Sequence, residues 1–228
     1  MLRRDIILGV IAGILIGIGG SVYLACDSKY VGAVLFSVAL LCICMRGFAL
    51  FTGKVGFLVV SHGKADVSAT LLSLAGNLVG TFLAGIAVRF ALPALGERAL
   101  SLCEGKLAQT VPETLVRAVF CGILMYLAVV IWRENRSPLG IFLCVPVFIL
   151  SGFEHSIANM FYFSASGIVS FEAFLYLWLV ILGNAAGGML LPALLLLCRE
   201  KPKEAAVPSE PAEQGDTNSL SVGAAAHK

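Results

Sequence analysis

Six stretches of this chain, 6–25, 30–60, 66–95, 112–132, 139–164 and 172–198, are apolar and long. A helix needs about 20 apolar residues to cross the hydrocarbon core of a bilayer, and each stretch meets that length. The pattern leaves little room for a water-soluble fold. Hydrophobic residues make up 59% of the chain and charged ones 13%, more apolar surface than a soluble core can use. The backbone in lipid must satisfy its own hydrogen bonds, so runs of this length are helices. The expectation is an all-α membrane protein with six transmembrane helices in the lipid bilayer. A formal net charge of +2 and the lack of a basic-aromatic stripe give no reason to expect a nucleic-acid partner.

Cysteine usage adds no framework. Cys42, Cys44, Cys121, Cys144 and Cys198 lie within apolar runs, where a free cysteine behaves as a small hydrophobe. Cys26 and Cys103 fall in predicted loops, which leaves one disulfide open between them. At the N-terminus Arg3, Arg4, an apolar run and Leu24-Ala25-Cys26 resemble a lipoprotein signal. The run is long for cleavage, and it reads as a retained first helix. After Arg199 the chain becomes polar and rich in Pro and Ala, so 200–228 is predicted to be a disordered tail.

Lys and Arg set the orientation. With both termini cytoplasmic, the inner segments carry Arg3, Arg4, Lys64, Arg133, Arg136, Arg199, Lys201 and Lys203, and the outer loops only Lys29, Arg98 and Lys106. The tail is therefore expected inside, after a channel domain over 1–199.

Two of the six spans are interrupted. The second is broken around Arg46-Gly47 and Phe51-Thr52-Gly53, and the fifth around Ser151-Gly152 and Phe153-Glu154-His155. Irregular backbone at membrane depth is tolerated only against protein or a watery cavity. The third span carries Gly76-Asn77-Leu78-Val79-Gly80, and the sixth Gly183-Asn184-Ala185-Ala186-Gly187-Gly188. Each half, 1–95 and 112–199, thus reads as plain helix, broken helix, then a helix with Gly-Asn-x-x-Gly. An odd number of spans per half gives the halves opposite topology, so the two breaks are expected to meet near the midplane of an inverted repeat. The glycines suit close helix packing. Asn77 and Asn184 are expected to support backbone freed by the breaks rather than touch a permeant. Glu154 and His155, ionisable groups at membrane depth, are a functional-site hypothesis by default.

These residues resemble the formate/nitrite transporter family of pentameric anion channels. The resemblance rests on GFEHSIANMF in the fifth span, LFTGK at the second break, GNLVG in the third span and GNAAGG in the sixth. It implies an aquaporin-like fold with helices 2 and 5 broken, a pore in each protomer, a homopentamer in the inner (plasma) membrane, and formate, nitrite or hydrosulfide as substrate. By position it implies His155 as the central histidine, Asn159 one turn later, and Thr52 opposite. Phe36, Leu40, Leu50, Phe51 and Phe148 match apolar constrictions, and Lys106, in the loop before the fourth span, matches an outer-vestibule lysine. Where many relatives carry asparagine in the fourth span, Gly122 stands here, which leans toward the hydrosulfide-channel branch.

A bare anion in an apolar constriction costs several kcal/mol, and neutralising it removes most of that. His155, with an unperturbed pKa near 6.5, suits a group that shares a proton with the permeant. Lys106 would attract the anion, and Glu154 would either orient the ring or, because adjacent helical residues do not face each other, bond backbone on a neighbouring helix. Two other classes were weighed. A membrane redox or metal enzyme lacks ligands, since His62 and His227 lie in a loop and the tail. No enzyme activity, cofactor or metal is therefore expected. A water, glycerol or ammonium channel is the alternative reading, although the aquaporin signature Asn-Pro-Ala is absent at both breaks, where FTG and FEH stand.

Overall fold

The computed structural model describes residues 2–198; the expected tail over 200–228 lies outside the described residues. Among these the chain forms α1 (Leu2–Ala25), α2 (Lys29–Arg46), α3 (Phe51–Lys54), α4 (Lys64–Ala91), α5 (Pro93–Leu107), α6 (Val111–Asn135), α7 (Leu139–Leu150), α8 (Ser156–Ser166) and α9 (Phe171–Leu197), with a 3-10 segment at Val55–Val59. The described residues contain no strand. Helices α1, α2, α4, α6 and α9 are each long and apolar enough to cross a membrane. The fifth expected span is divided between α7 and α8, of 12 and 11 residues. At 1.5 Å per residue neither crosses a hydrocarbon core of about 30 Å alone.

The long helices pack in two matched pairs, α1 against α4 and α6 against α9. Their glycines allow it. A methyl group on Gly80 would collide with the Val10 carbonyl, and one on Gly122 with the Asn184 carbonyl. The departure at Gly122 thus sits at a backbone-to-backbone crossing of α6 and α9. The broken elements then cross between halves: α8 packs on α4, the 3-10 segment on α9, and α2 on α7. Large apolar side chains such as Val34, Phe82 and Trp178 stay exposed on the periphery, as lipid or a neighbouring protomer requires.

Three local expectations are corrected. The second-span break begins at Arg46-Gly47, one of its two expected places, but stops short of Phe51-Thr52-Gly53: α2 ends at Arg46, Gly47 caps it at φ 67°, and Phe51 already opens α3. A left-handed cap of that kind favours glycine, which has no Cβ to clash. The segment carrying Cys103 and Lys106 is helix α5 rather than a loop, opened by Pro93 at its first turn. Cys103 is fully buried there, and Cys26 and Cys103 are both free thiols, so no bridge joins them. Burial pushes the Cys103 thiol up to about 11.

Candidate functional site

Each broken span begins again with a helix N-terminus deep in the bundle, where the first N–H groups have no helical partner. The same residue type supplies one at both places. Asn77 accepts the Phe51 N–H on Oδ1 at 2.9 Å and donates to the carbonyls of Ala49 and Gly9 at 2.9 and 2.8 Å. Asn184 accepts the Ser156 N–H at 2.8 Å and donates to the carbonyls of Glu154 and Ala118, both at 2.8 Å. Asn77 and Asn184 are fully buried. The two sets correspond residue for residue: Phe51 to Ser156, Leu50 to His155 as N-caps, Ala49 to Glu154. Each asparagine holds broken backbone and has no donor left for anything else.

The two breaks meet. Thr52 Oγ1 lies 2.9 Å from His155 Nε2, joining residues that are 103 apart in sequence. The other ring nitrogen is already engaged, because His155 is the N-cap of α8 and its Nδ1 accepts the Ala158 N–H at 3.1 Å. An acceptor nitrogen carries no proton, so the geometry defines a neutral imidazole with its hydrogen on Nε2, donating to Thr52. The Thr52 hydroxyl hydrogen is not used by the ring. His155 also stacks on Phe148, with centroids 5.5 Å apart, and Phe148 meets Phe36 edge-on at 6.2 Å.

Two cavities approach this junction from opposite ends of α1. One, of about 360 Å³, opens beside Tyr23 and Lys29 and is floored by Phe36, Phe148, His155 and Asn159. The other, of about 630 Å³, opens beside Arg4 and Asp5 and is floored by Leu40 and Leu50. Phe51 is buried but lines neither. Phe36 and Leu40 are both at most 2% exposed.

Glu154 does not orient the ring, as sequence reasoning had it. Its carboxylate points the other way and collects three donors: Lys106 Nζ on Oε2, Asn159 Nδ2 on Oε2 at 2.9 Å, and Gln109 Nε2 on Oε1 at 2.9 Å. Both ring nitrogens of His155 are taken by Thr52 and Ala158, which leaves Glu154 no place to bind. Lys106 therefore lines the first cavity already paired with a carboxylate whose side chain is 3% exposed. Arg117 also lines that cavity, and its guanidinium reaches the Gly152 carbonyl at the break. Sequence reasoning passed over Arg117, although a cation inside the fourth apolar span was a signal. Gln109 carried no such signal. No cluster of three or more metal-ligating side chains occurs among the described residues.

Paired long helices, two re-entering helix N-termini and two cavities facing one neutral junction define a pore-forming membrane protein. The family model described as "Formate/nitrite transporter" matches residues 2–198, and the chain belongs to that family. It is 30% identical over 190 residues to an uncharacterized transporter, YwcJ, of Bacillus subtilis (strain 168), covering 73% of this chain and 74% of that one. With the formate channel FocB of Escherichia coli (strain K12) it shares 27% over 175 residues, 66% of this chain and 62% of the relative. With the nitrite transporter NirC of Salmonella typhimurium (strain LT2) it shares 33% over 151 residues, 58% and 54%. Among solved structures, a pentameric formate channel with formate bound is similar at TM-score 0.73 and 28% identity, over 86% of this chain and 96% of that one.

Proposed function

We propose that this chain conducts small monovalent weak-acid anions, formate, nitrite or hydrosulfide, through a pore in each protomer of a homopentamer. The membrane is the inner (plasma) membrane, with both termini cytoplasmic. The observation that carries the reading is the Thr52–His155 contact of 2.9 Å, a buried polar junction that one cavity reaches at His155 and the other approaches at Leu40 and Leu50. An anion crossing an apolar layer loses its water, at a cost of several kcal/mol. At the junction it meets the Nε2–H of His155 and the hydroxyl of Thr52, two donors that replace part of that hydration. Asn159 faces the same cavity but spends its amide on Glu154, so its part is to hold the carboxylate.

Proton sharing has a structural condition. A neutral ring that gave up its Nε2 hydrogen would become an imidazolate, which neutral water does not support. Transfer to the permeant therefore runs through the imidazolium, and that form requires Nδ1 to release the Ala158 N–H. Losing an N-cap costs about 1 kcal/mol, and charging the buried ring costs more, so the imidazolium forms with an anion at the junction to pair with it. Lys29, Lys106 and Arg117 oppose a single carboxylate, Glu154, around the outer cavity. That balance favours anions at the mouth even though Lys106 is paired.

The test is stopped-flow flux in proteoliposomes, comparing formate, nitrite, hydrosulfide and water. At least one anion is expected to equilibrate far faster than in empty vesicles, with water unaffected. Accelerated water flux without any anion flux would overturn the reading.

A further inference from the structure

The inner cavity is mismatched to so small a permeant. Its volume is about 630 Å³, whereas a formate ion is only somewhat larger than a water molecule, which occupies about 30 Å³ in the liquid. Four cationic side chains, Arg4, Lys54, Arg133 and Arg136, line it against one carboxylate, Asp5. None of the four is within ion-pairing distance of a carboxylate among the described residues, where the ion pairs are Arg98–Asp27 and Lys106–Glu154. The contrast with the outer cavity, whose lysine is paired, is direct.

The cations are also held in place. Lys54 donates to Ser73 Oγ at 3.2 Å and to the Ala69 carbonyl at 3.5 Å, which leaves one of its three ammonium hydrogens for the cavity. The guanidinium of Arg133 lies over the Phe57 ring, 4.1 Å from its centroid. A cation–π contact of this kind holds the head group while using none of its N–H donors, which stay free for an anion. Arg136 is presented by a left-handed helix cap, φ 53°. Planar guanidinium forks match phosphate oxygens in pairs. Coulomb attraction grows with the product of the charges, so a polyanion is held several times more strongly than a monovalent ion. Such a ligand cannot pass the floor of Leu40 and Leu50, and it would stand in front of it.

We propose that the inner mouth is a regulatory site for soluble phosphate-bearing polyanions, of the diphosphate or triphosphate class, which plug the pore from that side. The block rests on the pore reading above; the binding does not. A phospholipid headgroup carries the same chemistry, but the cavity leads to the pore floor, which favours a ligand from water.

Inorganic pyrophosphate is the probe, titrated calorimetrically against the full chain in phosphatidylcholine nanodiscs. Submillimolar binding is expected, weakened at least tenfold in the double variant Arg133→Gln/Arg136→Asn. Asparagine tolerates the left-handed cap, and thermal melting checks that the variant is folded. Arg46→Gln removes an exposed charge outside the cavity and is expected to leave binding within twofold. In phosphatidylcholine proteoliposomes, pyrophosphate is expected to slow formate or nitrite flux, and the double variant to escape. Absent binding, or equal weakening in Arg46→Gln, overturns the site. Slowing by phosphatidylglycerol alone, with pyrophosphate adding nothing, assigns the cavity to lipid and overturns the soluble ligand. Binding with undiminished flux overturns the block, while binding with no anion flux in any vesicle supports the site and counts against the pore reading instead.

Discussion

His155 has two uses that pull against each other. Its Nδ1 starts helix α8 and its Nε2 faces the junction with Thr52. The first use requires a lone pair, and protonation removes that lone pair. The side chains that can start a helix are few, and asparagine is among the best. His155→Asn is therefore expected to keep the α8 cap while removing the titrating ring. Its thermal midpoint should stay close to that of the parent, and the dependence of anion uptake on pH should flatten. His155→Phe loses both, and is expected to be destabilised by about 1 kcal/mol as well. Uptake by His155→Asn that follows pH as the parent does would show that the ring is not the proton-sharing group. The pairing of Glu154 with Lys106 and Gln109, away from the ring, makes this experiment cleaner, since neither variant disturbs the carboxylate's donors.

At the scale of elements, one asparagine per half does the work that continuous helix would otherwise do. Truncating Asn77 to alanine strands the Phe51 N–H and the Ala49 carbonyl, and truncating Asn184 strands the Ser156 N–H and the Glu154 carbonyl. Each buried polar group left alone costs about 1–3 kcal/mol. Asn77→Ala and Asn184→Ala should thus lower the thermal midpoint in detergent by similar, large amounts. A loss confined to one of them would break the correspondence between the halves. The sequence already carried that correspondence, because Gly-Asn-x-x-Gly recurs and a buried amide beside a helix break has few other employments. It carried the start of the first break, at Arg46-Gly47, but not its end, since Phe51-Thr52-Gly53 becomes helix only where Asn77 takes up the Phe51 N–H. Nor did it reveal α5, whose sequence is too short and too polar to read as a span. The direction of the Glu154 side chain was equally hidden, because it depends on Gln109, a connector residue 45 positions away.

On the scale of the whole molecule, the pore has a positively biased mouth at each end. The outer one sets Lys29, Lys106 and Arg117 against Glu154, and the inner one sets Arg4, Lys54, Arg133 and Arg136 against Asp5. Clefts with low-dielectric walls focus such charge and raise the local concentration of counter-ions. On the proposed function, cations are disfavoured at both ends before they reach the Thr52–His155 junction, so discrimination in favour of anions begins at the mouths. The effect is electrostatic and therefore depends on salt. The Debye length falls from about 10 Å at 0.1 M to about 3 Å at 1 M. Uptake measured far below saturating substrate should fall several-fold over that range, with a bulky impermeant anion supplying the ionic strength. Near saturation the dependence should fade, because capture no longer limits flux. Uptake at low substrate that ignores salt would mean that the charged rims play no part in capture, leaving selectivity to the Thr52–His155 junction alone.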